Sequence, residues 1–552
     1  MTHSRRAEKR QTLAKSAASA IAVASVLATA PPLWAQDLDV TGLTIKEIQA
    51  GLEGGAFTSE ELTRAYLDRI ERYEPFYNAF VHMNLDALAE ARAVDERRAT
   101  GETLGPLAGV PTVIKEAMDV AGLPSTAGWA PLSSEAGGID LIPESDAPVV
   151  ARLRAAGAVV LGKTNIPAFS DDGTRANSSW AGPTFNAVDR SIVPGASSSG
   201  TATAVAGSFA PFGLAEETGG SIQNPAAAQS LVGIKPTFGL VPNTGVAPLA
   251  GSTRDVVGPI AATVEDAALV LDALAGYTAE DPKTVASIGM LPEGGYTSLL
   301  DEGALEGARV GLYGPGWREE PLSDEAQALY EEAIAGLEEA GAVVVEDPFA
   351  GSGFHDLREP KDSYDPRGTE SLAYDFNSYL TRLGSSAAAS SVEELQAILD
   401  VDPLSDEGPL GWYANALPVL AESRENPTAV PDLSGFHALR EEYLQSFNGV
   451  MAEHDLDLLV FPQMSSALPG IFEEDKDYPA TTVSEINILG VPAVTMPAGS
   501  FGNGSPFSLI FIGELWDEAQ LLGFAHAYER AAGNRIKAEL VETPYEEAQA
   551  AE

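Results

Sequence analysis

At 552 residues the chain is long enough to bury a large core. Its 45% apolar and 20% charged residues, with a mean hydropathy of −0.02, describe a globular protein and exclude a disordered one. A formal charge of −47 repels nucleic acid and anionic lipid, which removes both as partners, and the absence of cysteine removes disulfides, thiol nucleophiles, Fe–S clusters and thiolate zinc sites.

Arg5, Arg6, Lys9, Arg10 and Lys15 precede an apolar run over residues 17–30, and Pro31-Pro32-Leu33-Trp34-Ala35 leads into polar sequence from Gln36. A basic stretch, a short apolar stretch and a small residue at the break make a secretory signal peptide, so residues 1–35 are expected to be cleaved. The product would be periplasmic or secreted and free of the membrane. The run is shorter than the ~20 residues of a membrane span, although an uncleaved anchor is the competing reading. The twin Arg5-Arg6 raises the Tat route, but the charged residues after it fit poorly. Because the leader is basic, the remainder is more acidic still. With ten lysines in the whole chain, that surface fits a protein kept soluble in salty surroundings, or simple solubility after export.

In chain order, Leu43, Ile45 and Ile48 open a helical pattern. Thr58-Ser59-Glu60-Glu61 then reads as a second helix start, with Leu62, Tyr66, Ile70 and Tyr73 at helical spacing. From Leu107 the texture changes to short apolar runs between glycines and prolines: Val110–Ile114, Val149–Leu153, Ala158–Leu161 and Leu231–Ile234. Such runs are expected to be strands of a sheet buried on both faces, in an α/β fold. Residues 262–277 predict a helix ending at Gly276. Val310–Leu312 and Val343–Val345 bracket another near 323–340. Residues 350–445 are acidic and loop-rich and read as a variable insert over the core. Strands return at Leu456–Phe461 and Val491–Met496, and a last helix covers about 518–531.

The chemistry is narrowed by elimination. His3, His82, His355, His437, His454 and His526 form neither H-x-H nor H-E-x-x-H, and neither G-x-S-x-G nor S-x-x-K occurs. Gly157 to Thr164 spells a P-loop, but its middle residues Ala158-Val159-Val160-Leu161 read as the strand itself, and Pro167 opposes a helix after Lys163. What remains is Gly195-Ala196-Ser197-Ser198-Ser199-Gly200 and, further on, Gly219-Gly220-Ser221-Ile222-Gln223-Asn224-Pro225. Paired glycines beside a serine can expose consecutive backbone N–H groups to a developing oxyanion; a flexible Gly-rich loop is the alternative.

These segments, with Gly105-Pro106-Leu107-Ala108-Gly109-Val110-Pro111-Thr112-Val113-Ile114-Lys115-Glu116, Leu161-Gly162-Lys163-Thr164-Asn165-Ile166-Pro167 and Asn487-Ile488-Leu489-Gly490-Val491-Pro492-Ala493, resemble the amidase signature family in order from about residue 40 to 545. The resemblance implies a single α/β domain over 36–552, with a central mixed β-sheet flanked by α-helices. It implies Ser221 as nucleophile, Ser197 as a bridging serine often held by a cis peptide, and Lys115 as base. Thr218, Gly219 and Gly220, with the Ser221 amide, would form the oxyanion hole, and no metal or organic cofactor is needed. An ordinary lysine, with pKa ~10.4, is a poor base at neutral pH. Burial among Val113, Ile114 and Ala117 is expected to disfavour its ammonium, with loss of activity below about pH 6.

The implied function is an exported amidase hydrolysing carboxylic amide bonds of a small-molecule substrate through an acyl-enzyme. Carbamates, peptide amides and oligomeric amides are alternatives within the fold, and an inactive binding scaffold is the non-enzyme alternative; a homodimer is left open. The amidotransferase subunit that builds glutaminyl-tRNA shares the fold, but the leader and the acidic charge argue against it. Lys163 and Lys235 are expected to be structural, and Ser198 and Ser199 to bond the loop backbone. Departures from the family pattern are Ala196 and Ser199 for glycines, Ala215-Glu216-Glu217 for G-T-D, and Gln223 for an arginine, which disfavours an anionic substrate. Specificity is expected from loops around Asp171-Asp172 and Trp180 and from the 350–445 insert.

Overall fold

Thr44 and Thr58 each start a helix by the same device. The threonine hydroxyl accepts from the backbone N–H three residues on, and the glutamate there, Glu47 or Glu61, reaches back to the threonine N–H. The helices that follow, α1 (Ile45–Gly54) and α2 (Ser59–Tyr77), bury Ile45, Ile48 and Leu52, then Leu62, Tyr66 and Ile70, along the stripe expected from their spacing. The computed structural model describes residues 38–358, 368–405, 407–411, 423–482 and 484–545, so the expected leader over 1–35 lies outside the described residues.

From Val40 onward the chain forms one unit built on an 11-stranded mixed sheet. Its strands are β1 (Phe80–Met83), β2 (Pro111–Lys115), β3 (Val159–Thr164), β4 (Phe212–Glu217), β5 (Val232–Lys235), β6 (Val256–Ala261), β7 (Arg309–Leu312), β8 (Val343–Val345), β9 (Leu458–Pro462), β10 (Ala493–Ser500) and β11 (Pro506–Ile512). Their spatial order is β1-β3-β2-β4-β6-β5-β10-β11-β9-β7-β8. Strand β2 runs parallel to both β3 and β4, while β4–β6, β6–β5, β5–β10 and β10–β11 pair antiparallel. The central strands β2 to β6 are buried along their whole length, as apolar runs without alternation require.

One expected strand is a helix. Val149–Leu153 lies inside α3 (Pro148–Ala155): Pro148 occupies the first turn, where its missing N–H costs nothing, and Val149, Val150 and Leu153 share the buried face. The helix expected over 262–277 is observed as Val264–Leu274, stopping before Gly276 at φ +111°. The apparent P-loop is strand β3, and Lys163 donates to the Pro124 carbonyl and Ser125 Oγ, both at 2.8 Å.

The described residues of 350–445 hold more helix than a loop-rich reading expects. They include helices α4 (Leu372–Arg382) and α5 (Val392–Ile398) and the first part of α6 (Ser434–Glu453). Phe354, Phe436, Leu439 and Tyr443 join Trp317, Phe349, Phe461 and Ile510 in one hydrophobic cluster. The Trp317 and Phe354 rings stack at 4.5 Å.

Candidate active site

Strand β2 ends on Lys115, whose side chain is fully buried. Three acceptors surround its Nζ: Ser197 Oγ at 2.7 Å, the Glu216 carbonyl at 2.9 Å and Glu216 Oε2 at 2.7 Å. Three acceptors match the donors of one ammonium. The expected setting of apolar neighbours is thereby corrected. Burial is as anticipated, but Glu216 brings an anion into contact, so desolvation is opposed by an ion pair.

Ser197 follows a cis peptide bond from Ala196. Gly195, at φ +70°, lets this segment lie against the Ser221 turn; a Cβ there would fall 2.5 Å from the Asn224 carbonyl oxygen. Ser199 Oγ donates to the Gly195 carbonyl at 2.7 Å, and Ser198 Oγ to that of Glu216 at 3.3 Å, the backbone roles expected of both.

Ser221 sits on the turn joining β4 to the short helix Gln223–Ala228 and is 5% exposed, whereas Ser197 is fully buried. The Ser198 N–H donates to the Ser221 carbonyl at 3.3 Å, tying the two serine loops together. No hydrogen bond joins the two hydroxyls. Gly220 has φ +97°, which glycine supplies without strain, and its carbonyl accepts from the Asn224 N–H at 2.7 Å. Glu217 organises the turn from beneath. It accepts from the N–H groups of Ile222 (2.9 Å) and Gln223 (3.2 Å), from the Gln223 amide, and from Asn487 Nδ2 at 2.9 Å. Thr218 Oγ1 reaches Asp255 Oδ1 at 2.6 Å and Glu216 Oε1 at 3.2 Å. Burial first, and the charge of Glu216 second, push the Asp255 carboxyl well above the usual carboxylate range.

These geometries coincide with a family match. The model of the Amidase family matches residues 61–522. The chain belongs to the amidase signature family. Among relatives, it is 34% identical over 502 residues to a glutamyl-tRNA(Gln) amidotransferase subunit from Chloroflexus aggregans, covering 88% of this chain and 96% of the relative. Among solved structures, the peptide amidase of Stenotrophomonas maltophilia is 31% identical with a TM-score of 0.72, covering 90% of this chain and 98% of that one. A bacterial aryl acylamidase of the same family is 25% identical with a TM-score of 0.69, covering 89% and 97%.

The late Asn487-Ile488-Leu489 motif acts on the site through Asn487. Lys235 is buried and donates to the Val491 carbonyl at 2.7 Å, with burial lowering it to about 8. Gly173 O accepts from the Ala196 N–H (3.1 Å) and Asn224 Nδ2 (3.2 Å), so the Asp171-Asp172-Gly173 loop adjoins both serine segments. Asp172 turns inward to cap the N–H groups of Thr174 and Arg175. Upstream, Phe169 packs against Trp129 (5.7 Å) and against Phe376 of α4 (5.6 Å), so that α4 meets the segment just before the Asp171-Asp172-Gly173 loop. Trp180 is set further back, its Nε1 donating to Thr126 Oγ1 at 2.9 Å. Sequence reasoning missed Glu216 as the partner of Lys115 and Asp255 beyond it. The available signal was two adjacent acids at the end of a buried strand.

Proposed function

We propose that this chain is an amidase that hydrolyses carboxylic amide bonds through an acyl-enzyme on Ser221, with Ser197 and Lys115 relaying the proton. The contact that carries this reading is Lys115 Nζ to Ser197 Oγ at 2.7 Å, in the dry interior beside the Ser221 turn. Ser221 Oγ attacks the carbonyl carbon while its proton passes to Ser197 and the Ser197 proton to the lysine amine. The backbone amides of Thr218, Gly219, Gly220 and Ser221 are assigned to the oxyanion. On collapse the C–N bond breaks and the relayed proton leaves with the amine. Water then attacks the acyl group, and the same relay restores the Ser221 hydroxyl. Small amides, anilides and peptide amides are the first substrates to screen, with carbamates and oligomeric amides after them.

A second reading follows from the 34% identity to amidotransferase subunits, in which the same centre would release ammonia from glutamine for a partner. The formal charge of −47 favours the free-standing amidase, because it opposes work on RNA. The leader, which would place the protein in the periplasm or outside the cell, favours it too; N-terminal sequencing of protein from the extracellular or periplasmic fraction, beginning at residue 36, is the expected result. The deciding experiment is labelling with a fluorophosphonate. Modification of Ser221 and turnover of simple amides by the isolated chain are expected, whereas an unlabelled Ser221 would favour an inactive scaffold.

A further inference from the structure

The Glu216 carboxylate is a departure from the family pattern, and it is spent on the base. Its Oε2 lies 2.7 Å from Lys115 Nζ, while its Oε1 lies 3.2 Å from Thr218 Oγ1, which in turn lies 2.6 Å from Asp255 Oδ1. The Thr218 hydroxyl has one hydrogen and two carboxyl neighbours. Both contacts are hydrogen bonds only if one of the two acids carries a proton and donates it. Asp255 also accepts from the N–H groups of Leu249 and Ala250, each at 3.0 Å, so its position is fixed by the backbone. The hydrogen-bond chain therefore runs from Asp255 through Thr218, Glu216 and Lys115 to Ser197.

This chain has an outlet. Asp255 contributes to the wall of a cavity of about 450 Å³ whose other charged lining residues are Glu280, Lys283, Asp375 and Arg382. Glu280 is exposed, so the cavity meets solvent. None of Lys115, Ser197 and Ser221 lines it, whereas Asp255 belongs both to its wall and to the hydrogen-bond chain.

We propose that Glu216 is a positioning residue that takes and returns the Lys115 proton, with Thr218 and Asp255 connecting the pair to this cavity. The inference rests on the Ser221–Ser197–Lys115 reading. In the resting state Lys115 and Glu216 form an ion pair. Transfer of one proton from Nζ to Oε2 breaks an N–H bond and forms an O–H bond, leaving a neutral amine and a neutral acid. No charge enters or leaves the dry interior, where separated charges are costly. The freed lone pair then accepts the Ser197 proton. Excess protons exchange through Thr218 and Asp255 while substrate blocks the Ser221 side. The charged and titratable groups facing Glu216 are Lys115 from β2 and Asp255 from the segment before β6; those facing Asp255 are Glu216 and the four charged side chains of the cavity.

The test uses the full chain and measures the second-order rate of fluorophosphonate labelling at Ser221 from pH 5 to 10. Glu216→Gln is expected to slow the plateau rate on the order of ten-fold, less than the ~10²-fold loss of a direct general base. Its acid limb is expected to move by at least about one pH unit toward alkali, since an amide at position 216 cannot take the lysine proton and Lys115 must release it to solvent before accepting from Ser197. Glu216→Asp should recover part of the rate, and Asp255→Asn should move the limb with a smaller plateau loss. Superposition of the Glu216→Gln profile on the parent's would overturn the inference. If that variant does not fold, Glu216→Asp and Asp255→Asn decide: unchanged profiles in both overturn it, and a displaced limb supports it. Ser221→Ala must abolish labelling throughout. An unlabelled parent would sink the triad reading and the inference together, whereas a labelled parent with indifferent Glu216 variants sinks the inference alone.

Discussion

Around Lys115 the buried side chains are polar and joined by directional bonds, whereas around Trp317 they are rings and aliphatic chains, and the Trp317 indole N–H itself has no partner. The first region comes from segments far apart in sequence: strand β2, the cis loop, the β4 turn, residue 255 and residue 487. It is held by bonds whose loss leaves a buried polar group unsatisfied. The second is held by area removed from water and by ring packing. Substitutions in the first should therefore act on chemistry, and substitutions in the second on stability.

The largest expected effects break the first region at its centre. Ser221→Ala and Lys115→Ala are each expected to cost more than ~10³ in turnover of a simple amide. The two should part company in stability. Ser221→Ala removes a hydroxyl, whereas Lys115→Ala strands the Glu216 carboxylate and should destabilise by ~3–5 kcal/mol. Near-parental turnover in either variant would end the proposed mechanism, and equal melting temperatures would contradict the ion pair.

Phe354→Ala tests the second region. Removing a fully buried ring stacked on Trp317 should cost ~3–5 kcal/mol, read by denaturant unfolding, with kcat of the folded fraction within about two-fold of the parent. A large fall in kcat without loss of stability would show that the cluster is coupled to the site after all.

Asn487→Ala is the intermediate case. It removes one bond from Glu217, which still holds the Ile222 and Gln223 N–H groups, so a fall in kcat of about ten-fold with little change in KM is expected. A loss confined to KM would place Asn487 against substrate instead of behind the turn.

The contrast also explains what could be read from the sequence. Strands β2, β3, β5, β9 and β10 were legible because burial on both faces demands uninterrupted apolar residues. Strand β4 was not: Phe212-Gly213-Leu214-Ala215-Glu216-Glu217 ends in two acids, which oppose a buried strand unless their partners are known. Those partners, Lys115 for Glu216 and Asn487 for Glu217, lie far away in sequence. Val149–Leu153 was misread because a short apolar run has the same letters in a helix, and only Pro148 marks the helical first turn. In the 350–445 segment the capped helix Val392–Ile398 carries a local signal in Ser391 and Glu394, but the role of Phe376 depends on Phe169 across the fold. The serines, glycines and lysine of the candidate site stood out through the resemblance of their motifs to the amidase signature family, and of these only the positive φ of Gly195 and Gly220 carries a local conformational reason. The acids that tune them did not stand out, since a carboxylate is ordinary in so acidic a chain.

The smallest expected effect concerns acids buried outside both regions. Asp266 accepts from the Ile45 N–H at 2.9 Å through Oδ1, while its buried Oδ2 has no partner, an arrangement that suits a neutral carboxyl. Burial raises it to about 7, as it does Glu74 and Glu529. These values lie above those of the unfolded chain, so each group's contribution is fully present below about pH 4 and is lost as pH rises through about 7. Between those limits each should lower the unfolding free energy by about 1.4 kcal/mol per pH unit as pH increases. The protein is thus expected to be more stable near pH 5 than near pH 8, despite its acidic composition. Asp266→Asn keeps an oxygen for the Ile45 N–H and cannot ionise, so denaturant unfolding at pH 5, 6 and 7 should show a shallower slope than the parent. An identical slope would mean that Asp266 is ionised in the folded protein, which would require a cationic or donor group beside Oδ2.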